Sequence, residues 1–166
     1  GRYGKSIEIF KKALRINPDY ATAHTNLGIS EMEIGNLGTA IERYQRALDL
    51  VPDYAPAHYN LGNALMKIGN LSEAIEHYQL ALDLVPDYVP AQYNLGRALK
   101  EIGNIAAALT AYDKAAALDP QYLDAHYGKL LALCHKPNVT RKELLEAHRV
   151  MDQLHPARPG PLLKIQ

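Results

Sequence analysis

Three asparagines, Asn26, Asn60 and Asn94, recur at a step of 34 residues, each immediately before a Leu-Gly pair. A carboxamide both donates and accepts hydrogen bonds, so a column of them can hold the backbone of an extended chain while reading little of its side-chain sequence. Tyr59, Asn63, Tyr93 and Arg97 fall on the same helical face, with Thr25, Lys67 and Lys100 nearby. This is binding chemistry, not turnover. The same asparagines would equally serve to brace a turn between two helices, and the residues themselves leave both roles open.

The other reactive residue types lead elsewhere. Seven histidines and Cys134 invite a metal reading. Yet His24, His58 and His126 share one slot of the 34-residue step, which places them on different helices as packing residues, and Cys134, His135, His148 and His155 lack the spacing of a ligand set. Gly4-Lys5-Ser6 imitates the end of a phosphate loop, but the chain has no room for that motif's first glycine, and the triplet is in register with Gly38-Thr39-Ala40. Asn70-Leu71-Ser72 and Asn138-Val139-Thr140 match the glycosylation acceptor pattern without a secretory signal. No paired carboxylates and no nucleophile–base set stand out from the solvent-facing charges. The chain is therefore expected to carry no catalytic residue, no metal and no cofactor.

Composition sets outer bounds. In 166 residues, 48% are apolar and 22% charged, the balance of a soluble folded protein. Eighteen basic residues oppose eighteen acidic ones. Without a diffuse positive field, neither nucleic acid nor an anionic membrane is an expected partner. One cysteine forms no internal disulfide, and no apolar run is long enough for a bilayer span or signal core, so a cytoplasmic or nuclear location is expected. The opening Gly1-Arg2-Tyr3, without methionine, reads as a fragment.

The elements that must position the asparagines follow from the period. "ALDLVPDY" stands verbatim at 47–54 and 81–88, and the same 34-residue step links Gly35, Gly69 and Gly103; Tyr44, Tyr78 and Tyr112; and Pro18, Pro52, Pro86 and Pro120. Each unit reads as two helices around a Gly-Asn turn, the second ended by proline. Gly28, Gly62 and Gly96 lie inside the first helices, where glycine costs about 1 kcal/mol against alanine. Close helix contact explains them: with Ala40, Ala74 and Ala108 they let paired backbones approach, while Tyr44, Tyr78 and Tyr112 fill the space between units. No unit buries its faces alone, so stacking must stabilise the whole.

His24-x2-Leu27-Gly28, Ala40-x3-Tyr44, Ala47 and Pro52, repeated in 55–88 and 89–122, resemble the tetratricopeptide repeat. Departures are mild: the usual Trp slot holds His24, His58 and Gln92, and the usual Tyr of the first helix is Glu31, Leu65 or Leu99. The resemblance implies an all-α, right-handed α-solenoid of helix-turn-helix units. The second helix of a truncated repeat would fill 1–20, with full repeats at 21–54, 55–88 and 89–122, a divergent capping pair at 123–155 and an extended linker at 156–166.

After 122 the rhythm changes. Strict register would bury Lys142, Glu146 and Arg149, which their charges forbid. A two-residue insertion in the turn instead sets Leu144, His148 and Met151 in the buried slots and Pro156 in the terminator slot. Thr140 and Glu143 form a capping box, and Leu144, Ala147, Met151 and Leu154 make one apolar stripe. The prolines of "HPARPGPLLKIQ" read as a connector, with a strand starting near its end.

Leu130, Leu131, Ala132 and Leu133, followed by Leu144, Leu145, Glu146, Ala147, His148 and Arg149, resemble the junction that ends the repeats in bacterial O-linked N-acetylglucosamine transferases and spindly-type O-fucosyltransferases. The aromatic common after that arginine is absent, with Met151 nearby. The resemblance implies a repeat arm that guides protein substrates along an asparagine-lined groove, with the sugar-nucleotide site downstream. The alternative is a stand-alone adaptor without an enzymatic domain. Expected partners are a protein or extended peptide. A second copy is a further candidate, paired through Ile7, Phe10 and Leu14 of an uncapped first helix.

Overall fold

The computed structural model describes residues 2–154, and among these the chain forms nine α-helices and no strand. They are α1 (Arg2–Ile16), α2 (Ala21–Glu33), α3 (Leu37–Leu50), α4 (Ala55–Lys67), α5 (Leu71–Leu84), α6 (Val89–Glu101), α7 (Ile105–Leu118), α8 (Leu123–Cys134) and α9 (Arg141–Leu154). The hairpins α2–α3, α4–α5 and α6–α7 stack as a solenoid, with α1 before them and α8–α9 after. The stretch 156–166, read above as linker and strand, lies outside the described residues, as do His155 and Pro156.

Local chemistry explains each hairpin. At the end of α4, Gly69 takes φ +83°, which glycine adopts without penalty, and the Asn70 and Gly69 amides bond the carbonyls of Leu65 and Met66 at 2.9 and 3.2 Å. This pair of bonds closes the helix and reverses the chain into α5. At the far end, the Val85 amide makes the last bond of α5, to Ala81, and Pro86 has no amide to continue it.

The first helices of successive hairpins touch one another, α2 with α4, α4 with α6 and α6 with α8, whereas α3, α5 and α7 do not. The touching row is therefore the short inner arc. Residues of α2, α4 and α6 that face away from the second helices line a concave groove.

The core is a ladder of enclosed tyrosines, Tyr44, Tyr78 and Tyr112, among alanines at 40, 74 and 108. Here the expected role of the helical glycines needs correction. A β-carbon on Gly28, Gly62 or Gly96 would stand 2.6, 2.7 or 2.8 Å from the tyrosine ring of its own hairpin. The glycines make room for a ring, not for a closer helix backbone.

Two further expectations change. Ile7 is buried against α2 and Phe10 and Leu14 are half-buried, so they are not the exposed face of α1; Ile9 and Ile16 are. A helix with a single neighbour turns its best apolar stripe toward it. At the other end α9 begins at Arg141, two residues later than a strict step from Ile105, which accommodates the insertion. Asn138 supplies the left-handed backbone there, at φ +58°. Met151 is buried and Leu144, Ala147 and Leu154 are half-buried, but His148 is exposed: the 3-4-3 spacing of the stripe gives its slot to Ala147. The capping box is formed, with the Glu143 amide donating to Thr140 Oγ1 at 3.2 Å and the Thr140 amide to Glu143 Oε2 at 2.8 Å. Among the described residues no helix is long and apolar enough to cross a membrane.

Candidate functional site

Asn63 on α4 is the hub of a side-chain network. Its Oδ1 accepts from Tyr78 Oη and from Asn94 Nδ2, each at 2.8 Å, so one carboxamide ties the core tyrosine of its hairpin to the next repeat. Asn94 Nδ2 also lies 3.3 Å from Tyr59 Oη, and its Oδ1 accepts from Arg97 Nη1 at 3.3 Å. Asn94 is buried while Arg97 is exposed, so the network runs from the core to the groove surface. The Arg97 guanidinium stands 5.8 Å from the Tyr93 ring centre, a cation–π contact. None of the ion pairs among the described residues uses Arg97.

The asparagine ladder is not uniform. Asn60 turns back to donate to the Pro56 carbonyl of its own helix at 2.7 Å, and Asn26 is half-buried one repeat earlier. The next rung is Gly128, where a β-carbon would stand 2.5 Å from the Tyr112 ring; the ladder ends because no side chain fits. Of the flanking residues, Thr25 is buried and bonded to the Ala21 carbonyl, Lys100 pairs with Glu101 at 3.2 Å, and Lys67 is exposed.

Tyr88 and Tyr122 pack against Tyr59 and Tyr93, a pairing that was not expected from sequence. The Tyr59 and Tyr88 rings are tilted at 43° with centres 4.9 Å apart, and Tyr93 meets Tyr122 edge-on at 5.6 Å. The available signal was their own 34-residue register, which Tyr20, Tyr54, Tyr88 and Tyr122 share. Burial raises the hydroxyl pKa of Tyr88 and Tyr93, and burial with Asp124 and the neighbouring tyrosines pushes Tyr122 up to about 12. These three phenols therefore stay protonated at neutral pH.

Four of the histidines serve the scaffold. His24, His58 and His126 place Nε2 2.8, 2.9 and 3.0 Å from the carbonyls of Pro18, Pro52 and Pro120, pinning each helix-ending proline to the next first helix. A carbonyl only accepts, so each Nε2 donates. His58 Nδ1 then accepts from His77 Nδ1 at 3.0 Å, with rings 5.2 Å apart. Among the described residues no three His, Cys, Asp or Glu side chains are placed to hold a metal ion.

Family models described as TPR repeat match residues 1–31, 30–69 and 62–103, and one described as tetratricopeptide repeat matches 89–122. The chain belongs to the tetratricopeptide repeat family. No curated protein sequence matches it. Solved tetratricopeptide structures do. The MamA protein shares 28% identity over 94% of this chain and 84% of its own, with a TM-score of 0.83. YrrB, described as a TPR protein with an unusual peptide-binding site, shares 23% over 95% and 80%, with a TM-score of 0.78. MamA from Desulfovibrio magneticus RS-1, residue 41 to the end, shares 21% over 93% and 84%, with a TM-score of 0.77. The last two likenesses show the fold alone.

Proposed function

We propose that this tetratricopeptide array is a scaffold that binds a protein partner as an extended peptide along its concave groove, with no turnover of its own. The observation that carries this reading is the Asn63–Asn94–Tyr59–Arg97 network. It brings carboxamides, phenols and a guanidinium from two repeats to one partly exposed surface. Asn26, Asn60 and Asn94 supply the rungs, Asn63 the hub, and Tyr59, Tyr93 and Arg97 the walls. Selection from a random peptide library against the purified chain tests it. Selected peptides should lose affinity about ten-fold or more in Asn94→Ala. Peptides that bind equally well to Asn94→Ala and to Asn60→Ala with Asn63→Ala would take the groove out of the account.

A finer reading makes this scaffold the substrate-recognition arm of an O-GlcNAc-transferase-like glycosyltransferase. It rests on the resemblance of 130–133 and 144–149 to the junction in those enzymes. The competing reading is a stand-alone adaptor. Mass spectrometry of the endogenous protein separates the two: peptides extending several hundred residues past Gln166 support the arm, and an end near Gln166 supports the adaptor.

A further inference from the structure

Gln92 departs from the pattern of its slot. His24, His58 and His126 each bond the carbonyl of a helix-ending proline, at Pro18, Pro52 and Pro120. One repeat on from His58, Gln92 makes no such bond to Pro86, and its carboxamide has no hydrogen-bond partner among the described residues. Yet Gln92 is only 7% exposed. A buried carboxamide left unbonded is unfavourable, and a ligand that bonds it removes the penalty.

Gln92 opens on a cleft. With Leu82 and Asp83 of α5, Leu95 of α6, and Lys114 and Leu118 of α7, it lines a cleft of about 560 Å³, a size that holds a small ligand or a few residues of a peptide. The cleft is separate from the network of Asn63 and Asn94. Gln92 and Leu95 stand one turn apart on α6, whereas Asn94 and Arg97 fall on its opposite side, because residues two apart in a helix are turned by about 200°.

Three features specify an occupant. A carboxamide sets a donor beside an acceptor, which matches the N–H and C=O that one residue of an extended chain points to the same side. Leu82, Leu95 and Leu118 offer an aliphatic wall. Asp83 and Lys114, on different helices, are exposed and form none of the ion pairs among the described residues. A purely apolar ligand would leave Gln92 unbonded, and a ligand of one charge sign would meet either Asp83 or Lys114 with a like charge.

We propose that the cleft between α5, α6 and α7 is a second binding site, for a short extended segment of a protein partner. One residue of that segment pairs its backbone N–H and C=O with Gln92 and lays an aliphatic side chain on the leucines. A basic neighbour meets Asp83 and an acidic one meets Lys114. This site is independent of the groove reading.

NMR titration of the isotope-labelled chain with blocked tripeptides tests it. The probes are Lys-Leu-Glu and Glu-Leu-Lys, which offer the two charges in either chain direction, with Glu-Leu-Glu and Lys-Leu-Lys as controls. One mixed-charge peptide should move the Gln92 side-chain amide and the backbone amides of Leu82, Leu95 and Leu118, and bind about ten-fold more tightly than the controls. Gln92→His restores the residue type of the other three seams, so the fold is kept; it should raise the denaturation midpoint and weaken the peptide about ten-fold. Lys114→Glu, at an exposed position, should turn the preference toward Lys-Leu-Lys. No movement at Gln92 with either mixed-charge peptide, or equal binding to Gln92→His, would overturn the site. Shifts confined to Asn63, Asn94 and Arg97 would put the peptide in the groove and overturn it as well, leaving the groove reading untouched.

Discussion

A β-carbon on Gly62 would stand 2.7 Å from Cε1 of Tyr78, inside contact distance of a ring with no exposed surface. The ring cannot swing away because α4, α5 and the next hairpin enclose it. Gly62→Ala therefore sets an overpacking cost of about 1–3 kcal/mol against a helix-propensity gain of about 1 kcal/mol. Net destabilisation is expected, read as a lower denaturation midpoint. Gly38→Ala is the contrast. Nothing lies within 4 Å of its added carbon and its φ is ordinary, so the midpoint should rise.

The three core tyrosines differ in what their hydroxyls meet. Tyr78 Oη donates to Asn63 Oδ1, whereas the buried hydroxyls of Tyr44 and Tyr112 find no partner among the described residues. Tyr78→Phe should cost about 1 kcal/mol, the net worth of one hydrogen bond, and Tyr112→Phe should be neutral or stabilising. Thermal unfolding of the two single variants decides this. Equal losses would mean that Tyr112 has a partner after all.

Stability should fall as the solution is acidified below the ordinary histidine range. The pKa of His77 is lowered from 6.5 by burial, then by His58, with Glu73 and Glu76 opposing. A depressed value means that the unfolded chain binds the proton more readily, so stability is intact above pH 6.5 and is lost as pH falls through the folded value. His77→Gln should flatten this dependence in melting temperatures taken between pH 8 and 5.

The box that starts α9 should fail in stronger acid. Hydrogen bonds from Lys136 and Thr140 hold the Glu143 carboxyl down at about 2, from an ordinary 4.5. The lowered value makes its contribution complete above pH 4.5, and that contribution disappears toward pH 2. Thr140→Ala removes the reciprocal half of the cap and should cost about 1 kcal/mol at neutral pH. Hydrogen exchange along α9 is the direct readout, with faster exchange expected there and unchanged rates in α4.

Much of this architecture was legible because its signals repeat. Gly69, Pro86 and Tyr78 each answer a local demand, for a left-handed turn, a helix stop and a core filler, and the demand returns at every unit. Asn63 and Asn94 were legible as residues of the first helices, but not as partners, because the bond between them joins positions 31 residues apart. The His58–His77 pair was hidden for the same reason: each histidine has its own slot, and only the hairpin brings the slots together. Ile7 and His148 were misplaced at the two ends of the array, where a helix lacks one of its usual neighbours and the repeat gives no guide to its rotation.

That each hairpin meets only the next has a consequence for how the molecule lets go. Contacts join α1 to α2 alone and α9 to α8 alone, so the outer helices can detach without breaking anything in the middle. Such a chain behaves as a row of coupled units that melts inward from both ends. The network of Asn63, Asn94 and Arg97 sits at the centre of that row, and it should be the last part of the surface to lose its shape as the rest frays.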